Sequence, residues 1–293
     1  MAGDQPSLEE LRRRIDEIDA ALQDLLIQRI EVARQAGAAK QGGRARIRPG
    51  REAQVLRRLL RRHHGPLPKA VLVRLWRELF SVVTGLQGPL QVVVQAASGN
   101  DGICRLAAEH FGSQTPIQAV GSSAQVIKAV AQDDGTLGVL PLPEADEPQP
   151  WWPSLARKGA SVPRIIARLP FMEAPAGRFG VAGALALGLL DAEDSGCDRS
   201  FFVMEAETEL SRSRLRELLA SADLSVLDLQ SRAEGGVRWL HLVEVEGCFD
   251  ASGAPIARLR EVGEDAMLQI WPIGGYAAPL SLAELASVQE AAQ

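Results

Sequence analysis

The sequence predicts an α + α/β protein in which an all-helical bundle precedes a small α/β domain and a ferredoxin-like domain. Helical periodicity extends to residue 88, strand and helix signals alternate up to residue 198, and a β-α-β-β-α-β order follows. The expected segments are 1–88, 89–198, 199–280 and a C-terminal tail at 281–293.

Three helices are expected in the first segment. The first begins after Ser7, a good N-cap with Glu10 three residues on, and continues to about Lys40. A helix of more than thirty residues with a continuous apolar stripe is typical of one that packs along a helical partner. The two further helices are expected at 51–64 and 69–87.

The period changes after Pro89, where short β-rich runs alternate with helical runs and predict a small, mostly parallel sheet. The small residues of 180–188 indicate close packing, because they lack the GxGxxG spacing of a nucleotide loop. The strands expected in the second segment are 90–96, 116–120, 137–142, 164–169 and 178–183, and its helices are 101–111 and 122–133. In the third segment the expected strands are 199–207, 224–233, 238–247 and 267–276, and the helices are 211–223 and 255–265.

Composition excludes several classes of protein. A net charge of −5 and a pI near 5.5 argue against nucleic acid or an anionic membrane as partner. The longest apolar run has 12 residues, at 179–190, and the N-terminus lacks the apolar core of a signal peptide. Three scattered cysteines fit a reduced cytoplasm better than a disulfide framework. We expect a cytoplasmic protein with no metal and no cofactor.

Two cations interrupt the apolar stripe of the first helix. The stripe continues through Arg29 and reaches Lys40, eleven residues later, so both side chains project within roughly 20° of each other. An unpaired cation costs several kcal/mol to bury, so an anionic partner is expected. The helix pattern alone allows two partners: an internal carboxylate such as Glu52, or an anionic ligand. Arg48 and Arg51 add to the positive charge nearby, and one carboxylate cannot match all four cations.

The stretches “LRRRIDEIDAALQDLLIQRIEVARQAGAAK”, “IRPGREAQVLRRL” and “LVRLWRELFSVVTGLQ” resemble the all-helical chorismate mutases. These also form the N-terminal part of bifunctional chorismate mutase/prephenate dehydratases. The resemblance implies a homodimer in which the long first helices pair and each site borrows one residue from the other chain. By that likeness the borrowed residue is Arg12, which would bind a substrate carboxylate.

The resemblance also assigns roles within each site. Arg29 would bind a carboxylate, Lys40 the second carboxylate and the ether oxygen, and Arg51 would support the anionic end. Glu52 would bind the substrate hydroxyl, and Gln87 would donate a hydrogen bond to the ether oxygen. The implied catalytic residues are Arg29, Lys40, Glu52 and Gln87. The implied substrate-binding set is Arg12, Arg29, Lys40, Arg48, Arg51, Glu52 and Gln87.

Later segments resemble the first lobe of prephenate dehydratase and its ACT regulatory domain, with departures. Gly177 stands where the family's Thr-Arg-Phe motif has its catalytic threonine, and “PLPE” (141–144) replaces Pro-Ile-Glu-Asn. Phenylalanine-binding stretches of the ACT domain become “ELSRSRL” (209–215) and “QSRA” (230–233). These departures predict that dehydratase activity is lost, and they leave open whether an aromatic amino acid binds as an effector.

The expected function is therefore chorismate mutase, which rearranges chorismate to prephenate in phenylalanine and tyrosine biosynthesis. The expected partners are the substrate chorismate and a second copy of the chain. Two alternatives are a bifunctional mutase/dehydratase and a catalytically silent regulator of the ACT type. The buried cationic set argues against the silent regulator, which has no need of one.

Overall fold

The computed structural model describes residues 6–38, 47–96, 101–145, 147–173, 177–235, 238–249, 253–263 and 269–286. Three helices come first, and the rest of the described chain builds a nine-stranded mixed sheet with its own helices. The helices are α1 (Leu8–Ala38), α2 (Pro49–Arg62), α3 (Lys69–Gln87), α4 (Gly102–Phe111), α5 (Ser123–Gln132), α6 (Arg212–Ser221), α7 (Ala254–Val262) and α8 (Leu282–Ala286). The strands are β1 (Gln91–Gln95), β2 (Ile117–Val120), β3 (Thr136–Pro141), β4 (Arg164–Leu169), β5 (Ala184–Gly188), β6 (Asp198–Ala206), β7 (Val226–Glu234), β8 (Arg238–Glu246) and β9 (Gln269–Ala277).

The three predicted N-terminal helices are confirmed. The backbone N–H of Glu10 donates to Ser7 Oγ at 3.2 Å, so Ser7 caps the N-terminus of α1 as expected. Helix α2 begins at Pro49, two residues before the predicted start. Proline suits this position because its fixed φ matches the helix and its missing N–H would have had no partner there.

The sheet has the strand order β2-β1-β3-β5-β4-β9-β6-β8-β7. Strand β1 pairs in parallel with β2 and β3, whereas β5 runs antiparallel to both of its neighbours, β3 and β4. The last four strands have the antiparallel order that a β-α-β-β-α-β unit produces, so the ferredoxin-like arrangement is confirmed. A parallel contact between β4 and β9 joins the two halves, with Ile165 opposite Gly274.

One predicted strand is wrong. Residues 178–183 contain only an isolated bridge between Arg178 and Val181, and the strand is instead β5, which begins at Ala184. Positive φ angles of +72° at Gly177 and +77° at Gly180 turn the backbone before this strand. All five residues of β5 are buried, so its small side chains are those of a central strand.

Apolar clusters cover both faces of the sheet, and a further cluster connects it to the helices. Leu56 of α2 and Val73 of α3 pack with Phe171, Met172 and Leu280, which belong to the loops beside the sheet. The helical segment is therefore docked on the sheet through a shared core. Among the residues that the structure describes, no helix combines the length and apolar character needed to cross a bilayer.

Candidate active site

The candidate site lies along the contact between α1 and α3, hereafter the α1/α3 groove, marked by Arg29, Phe80, Gly37 and Gln87. Cζ of Arg29 lies 5.7 Å from the centroid of the Phe80 ring. The Nη1 atom of Arg29 is buried and has no hydrogen-bond partner among the residues that the structure describes. Burial lowers the pKa of the Arg29 guanidinium. A buried donor without a partner costs about 1–3 kcal/mol, and more when it is charged, so an added acceptor would stabilise this group.

Gln87 lies in the same groove, near the end of α1. A Cβ built on Gly37 would stand 2.9 Å from Cδ and Nε2 of Gln87, so the two helices touch at this point. Phe80 and Gln87 are seven residues apart, about two turns or 10 Å along α3, and face the same side. Arg29 and Gln87 therefore lie along the same contact between α1 and α3. Lys40, predicted to share it, lies outside the described residues.

Glu52 is paired with a residue that the sequence analysis did not single out. Arg77 Nη1 donates to Glu52 Oε2 at 2.7 Å, and the two side chains are only 6% and 13% exposed. The internal salt bridge is thus real, but its cation is Arg77 of α3 and not a cation of α1. Arg77 precedes Phe80, Thr84 and Gln87 by helical steps of three and four residues, a spacing that could have revealed it.

Opposing effects act on the ionisation of this pair. Burial raises the pKa of Glu52, the nearby Arg77 guanidinium opposes that rise, and the Glu193 carboxylate adds to it. Burial also lowers the pKa of Arg77, which its bond to Glu52 counteracts. Glu52 is thus a desolvated carboxylate that is paired with the guanidinium of Arg77.

The first turn of α2 places Arg48 and Arg51 beside a carboxylate from the segment between β5 and β6. Arg48 Nε donates to Glu193 Oε1 at 2.7 Å, and the Arg51 backbone N–H donates to Glu193 Oε2 at 3.3 Å. The Arg51 side chain is exposed and donates to Gln54 Oε1. No local pattern could have found Glu193, because 142 residues separate it from Arg51.

Arg12 lies far from the other predicted site residues of its own chain. It is exposed on α1 and lies seventeen residues before Arg29, which is about 26 Å along the helix axis. An arginine side chain cannot cover that distance. Within one chain, Arg12 and Arg29 therefore cannot bind the same small molecule.

The dehydratase-like segment has a backbone that excludes threonine at residue 177. Gly177 adopts a φ of +72°, and a Cβ there would stand 2.5 Å from the Val181 carbonyl oxygen. That oxygen accepts a hydrogen bond from the Arg178 backbone N–H. A β-branched residue is strongly disfavoured at such a φ, so the local fold is built around glycine.

A second groove of about 250 Å³ lies between residues 144–152 and β7. The “QSRA” segment (230–233) lines it, and Arg232 Nε is buried there without a hydrogen bond to any described residue, 3.6 Å from Glu234 Oε2. On the opposite wall, burial and the adjacent Glu144 raise the pKa of Glu147. The groove thus offers a cation on one side and acidic groups on the other.

Comparisons with known proteins agree with the sequence analysis on the helical segment. Residues 11–88 match the family described as chorismate mutase type II. The bifunctional chorismate mutase/prephenate dehydratase of Pseudomonas aeruginosa is 34% identical over 155 residues, covering 49% of this chain and 41% of that protein. The enzyme of the same description from Stutzerimonas stutzeri is 30% identical over 148 residues, covering 48% and 40%. The chain thus matches about two fifths of the length of these curated relatives.

One solved structure in the comparison is the prephenate dehydratase from Staphylococcus aureus. It superposes with a TM-score of 0.45 and 12% sequence identity, covering 64% of this chain and 100% of that one.

Proposed function

We propose that this chain, whose residues 11–88 match the chorismate mutase type II family, converts chorismate to prephenate. One observation carries the proposal most directly: Arg29 has a buried guanidinium nitrogen without a hydrogen-bond partner in the described part of the chain, along the same helix contact as Gln87. A dianionic substrate would supply the missing acceptor. The internal partner that the sequence suggested for Arg29, the Glu52 carboxylate, is bonded to Arg77 instead.

The rearrangement is intramolecular and needs no nucleophile and no proton transfer. The protein has to select the compact conformer of chorismate in which the reacting carbons approach each other, and this is catalysis by positioning. Arg29 would hold one carboxylate through its free Nη1, and Lys40 would hold the second. A guanidinium suits a carboxylate because its planar donors match the two oxygens.

Charge develops on the ether oxygen as its bond to carbon breaks. Gln87 would donate a hydrogen bond to that oxygen, and Lys40 would add a positive charge. One carboxylate oxygen of Glu52 would accept a hydrogen bond from the substrate hydroxyl, while Arg77 donates to the other oxygen of Glu52. The bond between Arg77 and Glu52 keeps this buried carboxylate in a fixed orientation.

The site is completed by a second copy of the chain. Arg12 lies too far from Arg29 to serve the same site, and the apolar stripe of α1 is exposed along its length. We propose that the α1 helices of two chains pair, so that the partner copy supplies its own Arg12 to each groove.

Dehydratase activity is proposed to be absent. Dehydration in the resembling family depends on a threonine where this chain has Gly177, and the backbone at that position does not accept a β-branched residue. The proposed product is therefore prephenate, which would accumulate.

The test is an assay of the purified full-length chain with chorismate, alone and with phenylalanine or tyrosine added. We expect chorismate to be consumed and prephenate to accumulate. In Arg29→Ala, kcat/KM should fall about 10- to 150-fold, since a hydrogen bond to a charged group is worth about 1.5–3 kcal/mol. The matched control is Arg13→Ala on the same helix, where an exposed arginine is paired with Glu17, and it should keep the parent's activity.

Each alternative gives a different result in this assay. Formation of phenylpyruvate would support the bifunctional enzyme and overturn the proposed loss of dehydration. Chorismate left intact, with or without an amino acid, would favour the silent regulator. Full turnover in Arg29→Ala would remove the α1/α3 groove as the active site.

A further inference from the structure

The first turn of α2, which carries Arg48, Arg51 and Glu52, has no cap of its own. Arg48 occupies the N-cap position and makes no capping hydrogen bond with its side chain. The first N–H groups of a helix lack partners within the helix, and Ser, Thr, Asp or Asn usually satisfies one of them. Pro49 removes one such donor, but those of the next residues remain.

A carboxylate from a segment that connects two strands takes the place of the missing cap. Glu193, in the segment between β5 and β6, accepts the backbone N–H of Arg51 through one oxygen at 3.3 Å. Its other oxygen accepts Arg48 Nε at 2.7 Å. A negative charge at a helix N-terminus is further stabilised by the helix dipole. Glu193 therefore bonds both to the backbone of α2 and to one of its cations.

Gly50 makes this approach possible. A Cβ at position 50 would lie 2.6 Å from the carbonyl oxygen of Glu193 and 2.7 Å from its Cβ. Any side chain there would push the two segments apart. The close approach depends on glycine at this one position of the first turn.

Further contacts hold the same face of α2 to the same segment. Gln54 Nε2 donates to the carbonyl oxygen of Asp194 at 3.0 Å. Arg57 donates to Ser195 Oγ at 2.8 Å and to the carbonyl oxygens of Cys197 at 2.9 Å and Ala278 at 2.8 Å. Residues 193–197 thus form a continuous support along α2, with Glu193 at the end nearest the candidate site.

We propose that Glu193 is a positioning residue for the mutase site: it fixes the first turn of α2 from the sheet and so orients Arg48, Arg51 and Glu52. This rests on the proposed mutase function. Glu193 does not contact substrate; it acts through the helix backbone and through Arg48. The active site of the helical segment is therefore completed by a residue about a hundred residues beyond the end of α3.

A second effect of Glu193 reaches Glu52 directly. Its charge raises the pKa of Glu52, in addition to the larger effect of burial and against the effect of Arg77. The carboxylate that supports the helix thus also influences the ionisation of the predicted hydroxyl-binding residue.

The experiment compares the full-length parent with Glu193→Ala, Glu193→Gln and Gly50→Ala. We expect KM for chorismate to rise at least threefold in Glu193→Ala and Gly50→Ala, with a smaller change in kcat. Glu193→Gln, which keeps an acceptor for Arg51 but loses the charge, should fall between Glu193→Ala and the parent. Glu246→Gln is the control, because Glu246 is an exposed glutamate at the end of β8.

Amide hydrogen exchange gives a readout that does not depend on activity. In Glu193→Ala, peptides from the first turn of α2 should exchange faster while peptides from α3 keep the parent's rate. An equal increase in both helices would mean a general loss of stability and would overturn the positioning role, as would an unchanged KM in all three variants. A parent without mutase activity would overturn the proposed function, and the role of Glu193 with it. Unchanged exchange in Glu193→Ala would overturn the role of Glu193 alone.

Discussion

At the scale of single residues, the buried pair of Glu52 and Arg77 is the most constrained feature of the helical segment. Arg77 bonds to Glu52 and also lies over Phe171, with its Cζ 5.0 Å from the ring centroid. It further faces His110, whose pKa is held well below its usual value by burial and, secondarily, by the Arg77 charge. Arg77 thus connects a predicted site residue to the interface with the sheet.

Removal of Arg77 should lower the free energy of unfolding. Arg77→Met keeps the apolar bulk but leaves Glu52 as a buried carboxylate without its cation, which typically costs about 3–5 kcal/mol. Urea denaturation at pH 8 measures the loss. The matched control on the same helix is Arg74→Met, because Arg74 is largely exposed and 3.9 Å from Glu109, and it should cost less than about 1 kcal/mol.

The loss in Arg77→Met should shrink as the pH falls. The pKa of Glu52 is already above its usual value in the folded chain, and without Arg77 it rises further. A raised carboxylate pKa destabilises the fold only above the unfolded-state pKa, so the penalty disappears once Glu52 is protonated. His110 acts in the same direction. Its pKa is lowered by burial and, secondarily, by the Arg77 charge, so without Arg77 its protonation at low pH destabilises the fold less. An equal loss at pH 8 and pH 5 would contradict this account, and adding Glu52→Gln should remove Glu52's share of the pH dependence.

At the scale of elements, the long helix α1 exposes its apolar side chains to solvent. None of its residues is buried, and along its apolar stripe Ile15 is 56% exposed, Leu22 52% and Leu25 61%. A long helix that exposes a continuous apolar stripe to water is more typical of an interface than of a free surface. This is the basis for the proposed pairing of α1 with its counterpart in a second chain.

Charge introduced into the stripe should prevent self-association. We expect the parent to sediment as a dimer and Leu22→Asp as a monomer, because pairing would bury two carboxylates in an apolar interface. Ala20→Asp is the control: it adds the same charge to the same exposed helix, about 200° around the axis from Leu22. A monomeric parent, or a dimer that persists in Leu22→Asp, would contradict the pairing of α1.

Elements also show what the sequence can and cannot predict. Strand β4 lies at the predicted 164–169, because two isoleucines of high β-propensity stand there in a short, mostly apolar run. Strand β5 escapes prediction, because its alanines, leucines and glycine lack alternation and have low β-propensity. In the site, the stripe position of Arg29 is readable from helical periodicity. The contact between Arg51 and Glu193 is not, because it depends on how the sheet docks against α2.

At the scale of the whole molecule, two halves share one sheet and one apolar core, and the backbone pairing between them is short. Only the pair Ile165 and Gly274 is in register between β4 and β9, whereas β6 pairs with β8 over eight residues. The shared sheet also determines where the segment 193–197 meets α2, since that segment leads directly into β6. The position of Glu193 at the first turn of α2 therefore depends on how the two halves of the sheet are joined.

Gly274 is the residue on which that connection depends. Its φ is +117°, and a Cβ there would overlap the backbone oxygen and nitrogen of Ile165. Gly65 provides a matched control, because its φ is +98° and a Cβ there would have no atom within 4 Å. In Gly65→Ala the free energy of unfolding should fall only by the roughly 1–2 kcal/mol that a left-handed backbone costs an alanine. Gly274→Ala should lose about 1–3 kcal/mol more, because the side chain also forces β4 and β9 apart.

Urea denaturation of Gly274→Ala and Gly65→Ala, followed by fluorescence and by circular dichroism, measures the difference in stability. Separate midpoints for the two signals in Gly274→Ala would indicate that the halves now unfold independently, since a cooperative unit gives coincident transitions. Equal losses in the two variants would mean that the contact between β4 and β9 does not hold the halves together.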